Sequence, residues 1–157
     1  EANLLLRDNV KMHFTASAWV LNPSKNKVLM LYHNIYQSWS WSGGHADGEG
    51  DLLSVAMKEV KEESGLVSLK PLSDSPISIE ILGVQPHYKK QKYVSAHLHL
   101  NYTFLLHNTK EEKLKICPEE NSKVGWLSPD EAVCSSTEAW MKPIYKKLNQ
   151  KMRKYLG

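Results

Sequence analysis

Along most of the chain hydrophobic and polar positions alternate with a period near two, and in two stretches the period lengthens to that of a helix. Thr15 to Leu21 predicts a strand with few charges. Asn22-Pro23-Ser24-Lys25-Asn26 predicts a turn, and Val28 to Tyr32 a second strand, together a hairpin. Ser38-Trp39-Ser40-Trp41-Ser42 alternates with period two and predicts a short strand that ends at Gly43-Gly44, entering a glycine loop. From Asp51 to Ser64 the pattern is helical, with Leu52, Val55, Ala56 and Val60 on one stripe and Gly65 where a helix commonly stops. Lys70 to Pro76, with two prolines and two serines, predicts a loop.

Ile77 to Val84 and Ser95 to Leu106 predict strands joined by the polar stretch Gln85 to Lys92. In the second of them Ala96, Leu98, Leu100, Tyr102 and Phe104 share one face, the expected core face, while His97, His99, Asn101 and Thr103 share the other, available to a site. Lys123 to Leu127 predicts a short strand, Ser128-Pro129-Asp130-Glu131 opens a brief helix, and Pro143 to Tyr155 forms a terminal helix. The pattern has no internal repeat, and 157 residues fit one domain, expected over residues 1–157.

Composition changes this picture little. A hydrophobic share of 41% and a charged share of 24% are those of an ordinary globular domain. The net charge of +3 is too small to point to nucleic acid, and much of the excess, Lys142 to Lys154, falls on the solvated face of the terminal helix. Cys117 and Cys134 stand alone, which fits a reducing compartment. No stretch approaches the roughly 20 apolar residues of a membrane span, so the expectation is a cytoplasmic protein with neither membrane nor nucleic acid as partner.

The chemistry concentrates between Gly43 and Leu66. On a helix Glu59, Glu62 and Glu63 stand three and four residues apart, so their carboxylates converge on one side and repel one another. One reading is a solvated acidic face relieved by Lys58 and Lys61. The other is a cation site, because carboxylate oxygens are the ligands of hard divalent ions and a bound ion turns repulsion into attraction. The glycines just before the helix support the second reading, since they let backbone approach a ligand closely and set a helix N-terminus near anions.

This segment resembles the Nudix family, whose motif is G-x5-E-x7-R-E-U-x-E-E-x-G-U with U aliphatic. Aligned from Gly44, the chain matches at Glu59, Val60, Glu62, Glu63, Gly65 and Leu66, and departs at Gly50, where the motif has glutamate, and at Lys58, where it has arginine. Ser42 stands in place of the proline of the family's Pro-Gly-Gly, and the likeness extends over about residues 12 to 150. The resemblance implies an α/β fold, an α/β/α sandwich with a mixed sheet. It implies hydrolysis of a small-molecule diphosphate, such as a nucleoside diphosphate linked to another moiety, with Mg²⁺ or Mn²⁺ as cofactor. It assigns metal binding to Glu59 and Glu63, a ligand or general-base role to Glu62, a positioning role to Lys58, and a loop with a possible carbonyl ligand to Gly43 and Gly44. A further base is expected at Glu119 or Glu120. Gly50 and Lys58 keep open an alternative, a fold of the same family that binds nucleotide or metal with little turnover.

Other residues admit two readings each. His97 and His99 can share a metal at strand spacing, with His45 and His87 elsewhere, but no third ligand is fixed by spacing; histidines facing substrate are the preferred reading. Trp39 and Trp41 can stack a base, though packing is the more ordinary role for tryptophans in a strand.

Overall fold

The computed structural model describes residues 3–157. Its strands are β1 (Met12–Leu21), β2 (Val28–His33), β3 (Ser38–Ser40), β4 (Ser42–His45), β5 (Leu69–Pro71), β6 (Ser78–Val84), β7 (His87–Lys89), β8 (Lys92–Val94), β9 (His97–Asn108) and β10 (Asn121–Leu127). The helices are α1 (Leu52–Ser64), α2 (Pro129–Ser135) and α3 (Lys142–Leu156). The main sheet runs β10-β2-β1-β9-β5, with β3 on β2, β4 on β1 and β6 on β9. Strand β1 is parallel to β9 and antiparallel to β2 and β4, so the sheet is mixed.

Strand parity decides what each face touches. Even positions Ala16, Ala18 and Val20 of β1, with Phe104 and Leu106 of β9, pack against Val55, Ala56 and Val60 of α1. Odd positions Trp19 and Leu21, with Leu105, pack against Tyr145, Leu148 and Met152 of α3. The sheet is thus the middle layer of an α/β/α sandwich, the fold the motif implies. Each fully buried aliphatic side chain contributes about 1.5–3 kcal/mol.

Several boundaries differ from the pattern-based expectation. The period-two run Ser38–Ser42 is two strands, because Trp41 breaks it: β3 pairs with β2 and β4 pairs with β1. Gly43 and Gly44 belong to β4 and do not form a loop. The polar stretch after β6 contains the small hairpin β7–β8, and Leu69–Pro71, overlapping the start of the loop expected over Lys70 to Pro76, adds an edge strand to β9. Helix α1 starts where Asp51 accepts the Ser54 N–H at 3.2 Å, and stops at Gly65, whose φ of 78° suits a residue without Cβ. Trp39 of β3 and Trp41, between β3 and β4, pack at the rim of the α3-side core.

The first half of β9 inverts the expected burial. Leu98, on the presumed core face, is 38% exposed, whereas Asn101 and Thr103 on the polar face are buried. The polar residues satisfy one another: the Asn101 Oδ1 accepts from the hydroxyls of Thr15 at 2.8 Å and Ser17 at 2.9 Å, and its Nδ2 donates to Thr103 at 3.1 Å. This network pins β1 to β9 beneath the region where β4 begins its turn.

Asn101→Leu removes three hydrogen bonds at once and leaves three buried hydroxyls without their partner. The expected cost is about 2–4 kcal/mol, read as a lower urea midpoint with an unchanged slope. An unchanged midpoint would show that the network contributes nothing net.

Candidate functional site

Strand β4 is crowded on both sides, by the Glu59 side chain of α1 and by the backbone of β1. A Cβ at Gly44 would stand 2.3 Å from the Glu59 carboxyl carbon, and one at Gly43 would stand 2.6 Å from Ser17 Oγ and 2.9 Å from the Ala16 carbonyl. Bare backbone at Gly44 leaves room for the Glu59 carboxyl, and bare backbone at Gly43 lets β4 lie against β1. The Ser42 hydroxyl donates to Glu63 Oε1 at 2.9 Å, and the Gly43 N–H donates to the same oxygen at 3.1 Å. Both bonds fall on one oxygen, so the other is left for a further partner.

Glu63 is buried, and burial pushes its carboxyl up to about 8 despite the bonds from Ser42 and Gly43. Glu59 is pushed up to about 7, first by burial and then by the charge of Glu62. Neighbouring Glu120 acts in the same direction on both. Its loop is held to α1 through buried Asn121, which donates to the Glu63 carbonyl at 2.9 Å and accepts the Cys117 N–H at 3.2 Å. Glu62 and Lys58 lie outward. Their charges are 3.8 Å apart with more than half of each side chain exposed, a pair worth under about 1 kcal/mol.

These residues border a cavity of about 580 Å³ that Arg7, Lys89, Gly43 and Gly44 also line. Arg7 forms a two-pronged pair with Asp47, at 2.8 and 2.7 Å, which holds the Asp47 carboxyl below the ordinary carboxylate range. A second hollow of about 310 Å³ shares Gly43, Gly44, His45, Glu63 and His99 with the first and adds Trp41, Trp140 and Leu82.

Four histidines close one end of the first cavity. His13, His45, His97 and His99 have ring centroids 4.9–5.1 Å apart in all but one pairing. Burial lowers His45 and His99 to about 3, and also lowers His13. His33 borders both hollows, is lowered by burial, and stacks on Tyr36 with centroids 4.5 Å apart.

The structure thus gathers Glu59, Glu62, Glu63, Lys58, Gly43, Gly44, His97, His99 and Glu120 around one cavity. Glu119 is exposed and does not line it. Gly50 has open space where a side chain would start. Sequence reasoning missed Arg7, His13, His33 and the bracing Asn121. For His13 a signal existed: extended two residues back, β1 reads His13-Thr15-Ser17 on one face, in register with His99-Asn101-Thr103. Arg7 lies outside any periodic element, and no pattern marks it.

A family model described as NUDIX domain matches residues 11–148. Among solved structures, a C. elegans Ap4A hydrolase in a binary complex superposes with a TM-score of 0.65 at 18% identity, covering 87% of this chain and 95% of that one. A NUDIX-family hydrolase from Clostridium perfringens gives 0.64 at 17% identity, covering 90% and 96%. The E. coli dihydroneopterin triphosphate pyrophosphohydrolase gives 0.60 at 16% identity, covering 85% and 92%. No curated protein sequence matches significantly. At these identities the structural likeness speaks for the fold.

The buried titrating groups set an expected pH profile for the metal-free protein. Above pH 6.5, the ordinary histidine value, Glu59 and Glu63 keep protons in the folded state to about pH 7 and 8 that the unfolded chain has released. The folded state binds more protons there, so stability falls as pH rises from 6.5 to 8. Thermal unfolding in chelator should show a Tm that declines from pH 6.5 to 8, and Glu63→Gln should flatten that decline. A Tm that rises steadily to pH 8 would contradict the assignment.

Proposed function

The chain belongs to the NUDIX family, and from that premise we propose that it hydrolyses a small-molecule diphosphate with Mg²⁺ or Mn²⁺, using the glutamates of α1. The observation that carries this reading is the convergence of two carboxylates, buried Glu63 and half-buried Glu59, beside glycine backbone at the wall of a cavity. A donor set made of carboxylates, with strand carbonyls at Gly43 and Gly44 close by, suits a hard divalent ion. Glu59 and Glu63 would hold it, with Glu62 at the outer edge. When bound, the ion supplies Lewis acidity that activates water and neutralises charge on the departing phosphate.

The chain's own groups supply the rest. Glu63 is oriented by Ser42 and Gly43, so its free oxygen points away from those donors. Glu120, fixed through Asn121, is the residue we assign as base for the attacking water. Arg7 and Lys89 offer positive charge to phosphate oxygens. Trp41 and Trp140, lining the second hollow, suit a flat group attached to the diphosphate, and a nucleoside is the leading class. His97 and His99 border the first cavity on the substrate side. With Cys117 and Cys134 both free thiols, a cytoplasmic setting fits this chemistry.

A weakly catalytic or purely binding member of the family is the second reading. Two observations favour it: Gly50 presents nothing to the site, and Lys58 reaches only exposed Glu62. A panel of nucleoside triphosphates, dinucleoside polyphosphates and nucleotide sugars, assayed with Mg²⁺ and Mn²⁺ for phosphate or pyrophosphate release, separates the two. The expected result is metal-dependent turnover that Glu63→Gln abolishes while the fold persists. Glu120→Gln should lower kcat by about 10²–10⁴ with KM little changed. Nucleotide binding without turnover across the panel would establish the second reading, and full activity in Glu63→Gln would remove that residue from the mechanism.

A further inference from the structure

The histidines at the cavity's end are spread over three neighbouring strands. His13 of β1 and His99 of β9 are direct register partners, and His45 ends β4 one pair away, opposite Thr15. All three fall on the same face of the sheet, and each offers a ring nitrogen within 4.8 Å of the others. Three imidazoles gathered in this way, buried or half-buried, cannot all carry charge without strong repulsion.

The hydrogen bonds also determine where the lone pairs lie. His13 Nδ1 stands 3.1 Å from the Asn9 carbonyl, which can only accept, so the proton is on Nδ1 and the lone pair on Nε2. That Nε2 is buried and has no partner among the described residues, although His13 is only 4% exposed. An unpartnered buried acceptor costs about 1–3 kcal/mol, whereas the neighbouring Thr15, Ser17, Asn101 and Thr103 of this face are hydrogen-bonded to one another. His97 Nδ1 likewise stands 2.8 Å from the Ser95 carbonyl, so its Nε2 carries a lone pair. His99 Nε2, 3.0 Å away, must then donate to it, which leaves the lone pair of His99 on Nδ1. A ring whose second nitrogen is tied to a carbonyl or another acceptor is the arrangement that orients metal-bound histidines.

We propose that His13, His45 and His99 form a second metal site, a three-nitrogen site for a borderline divalent ion of the Zn²⁺ class, separate from the carboxylates of α1. Neutral imidazole suits zinc, cobalt or nickel, whereas hard Mg²⁺ prefers oxygen. Zinc–nitrogen bonds of about 2.0–2.1 Å in a tetrahedron bring nitrogens about 3.3 Å apart, so binding draws the rings inward by about 1.5 Å at most. Three protein ligands leave one open position, and the histidines line the same cavity as Glu59, so that position accepts water or a phosphate oxygen of a cavity ligand. His97 is a positioning residue, acting through its bond to His99. This site does not rest on the function proposed for the glutamates.

The test uses the full chain without an affinity tag, stripped of metal. Titration with Co²⁺ should give the visible bands of a four- or five-coordinate nitrogen site, and Zn²⁺ alone should bleach them at one equivalent. His45→Ala and His99→Ala should each weaken Zn²⁺ binding about 100-fold or more, and His97→Ala about 10–100-fold. Glu63→Gln, which disables the carboxylate site, should leave Zn²⁺ affinity within about threefold of the parent. Circular dichroism checks the fold of each variant. Should the histidine variants unfold, X-ray absorption on the Zn²⁺-loaded parent decides, through imidazole scattering from three nitrogens at about 2.0–2.1 Å. Oxygen-only coordination, bands that survive in both histidine variants, or Zn²⁺ binding lost in Glu63→Gln would each overturn the proposal.

Discussion

The contact on which the site depends is the one between the Glu63 carboxyl and the start of β4, where a serine hydroxyl and a glycine N–H both donate to one oxygen. For that contact to form, α1 must lie close against the strand; Gly44 leaves the space that the Glu59 carboxyl fills, while Gly43 lets the strand itself lie tight against β1. The same closeness brings Glu59 against Gly44. Asn121, bonded to the carbonyl of Glu63 itself, then anchors the loop that carries Glu120. One helix-to-strand approach therefore determines where three carboxylates stand.

This approach has an electrostatic cost. Two carboxylates are drawn out of water near one another, and the nearby cations offset this only in part: Lys58 acts on Glu59 but is outward beside Glu62, and Arg7 is engaged with Asp47. Both acids respond by holding their protons near neutral pH. A divalent ion supplies what the side chains do not, because its charge favours the ionised form of both groups at once. The neighbouring histidines show the converse behaviour, since burial keeps them uncharged and their lone pairs available. Acids and bases in one cavity are thus both driven toward neutrality by the same loss of solvent, and each becomes a different kind of ligand.

Much of the fold was legible in the sequence. The stripe Leu52-Val55-Ala56-Val60 and the Gly65 stop marked α1 to within one residue, and the alternation in β1 and β9 marked the sheet's centre. What pattern could not convey was contact between distant segments. Gly43-Gly44 looks like loop chemistry, and only the proximity of Glu59 and Ser17 explains two glycines inside a strand. Leu98 looked like core but lies beyond the cover of α1, while Asn101 looked exposed but is buried by partners on β1. The glutamates were legible because a helix repeats locally. The histidine cluster was not, because its members come from three strands whose register has to be known first.

The central claim is that Glu59 and Glu63, which hold their protons near neutral pH, await a cation, and proton release on binding tests it directly. Mn²⁺ titrated calorimetrically at pH 7 into the metal-free protein, in buffers of different ionisation enthalpy, should release between about one and two protons, declining toward none by about pH 9–10. Binding at pH 7 with no proton released would mean that Glu59 and Glu63 are already ionised, and would contradict the account.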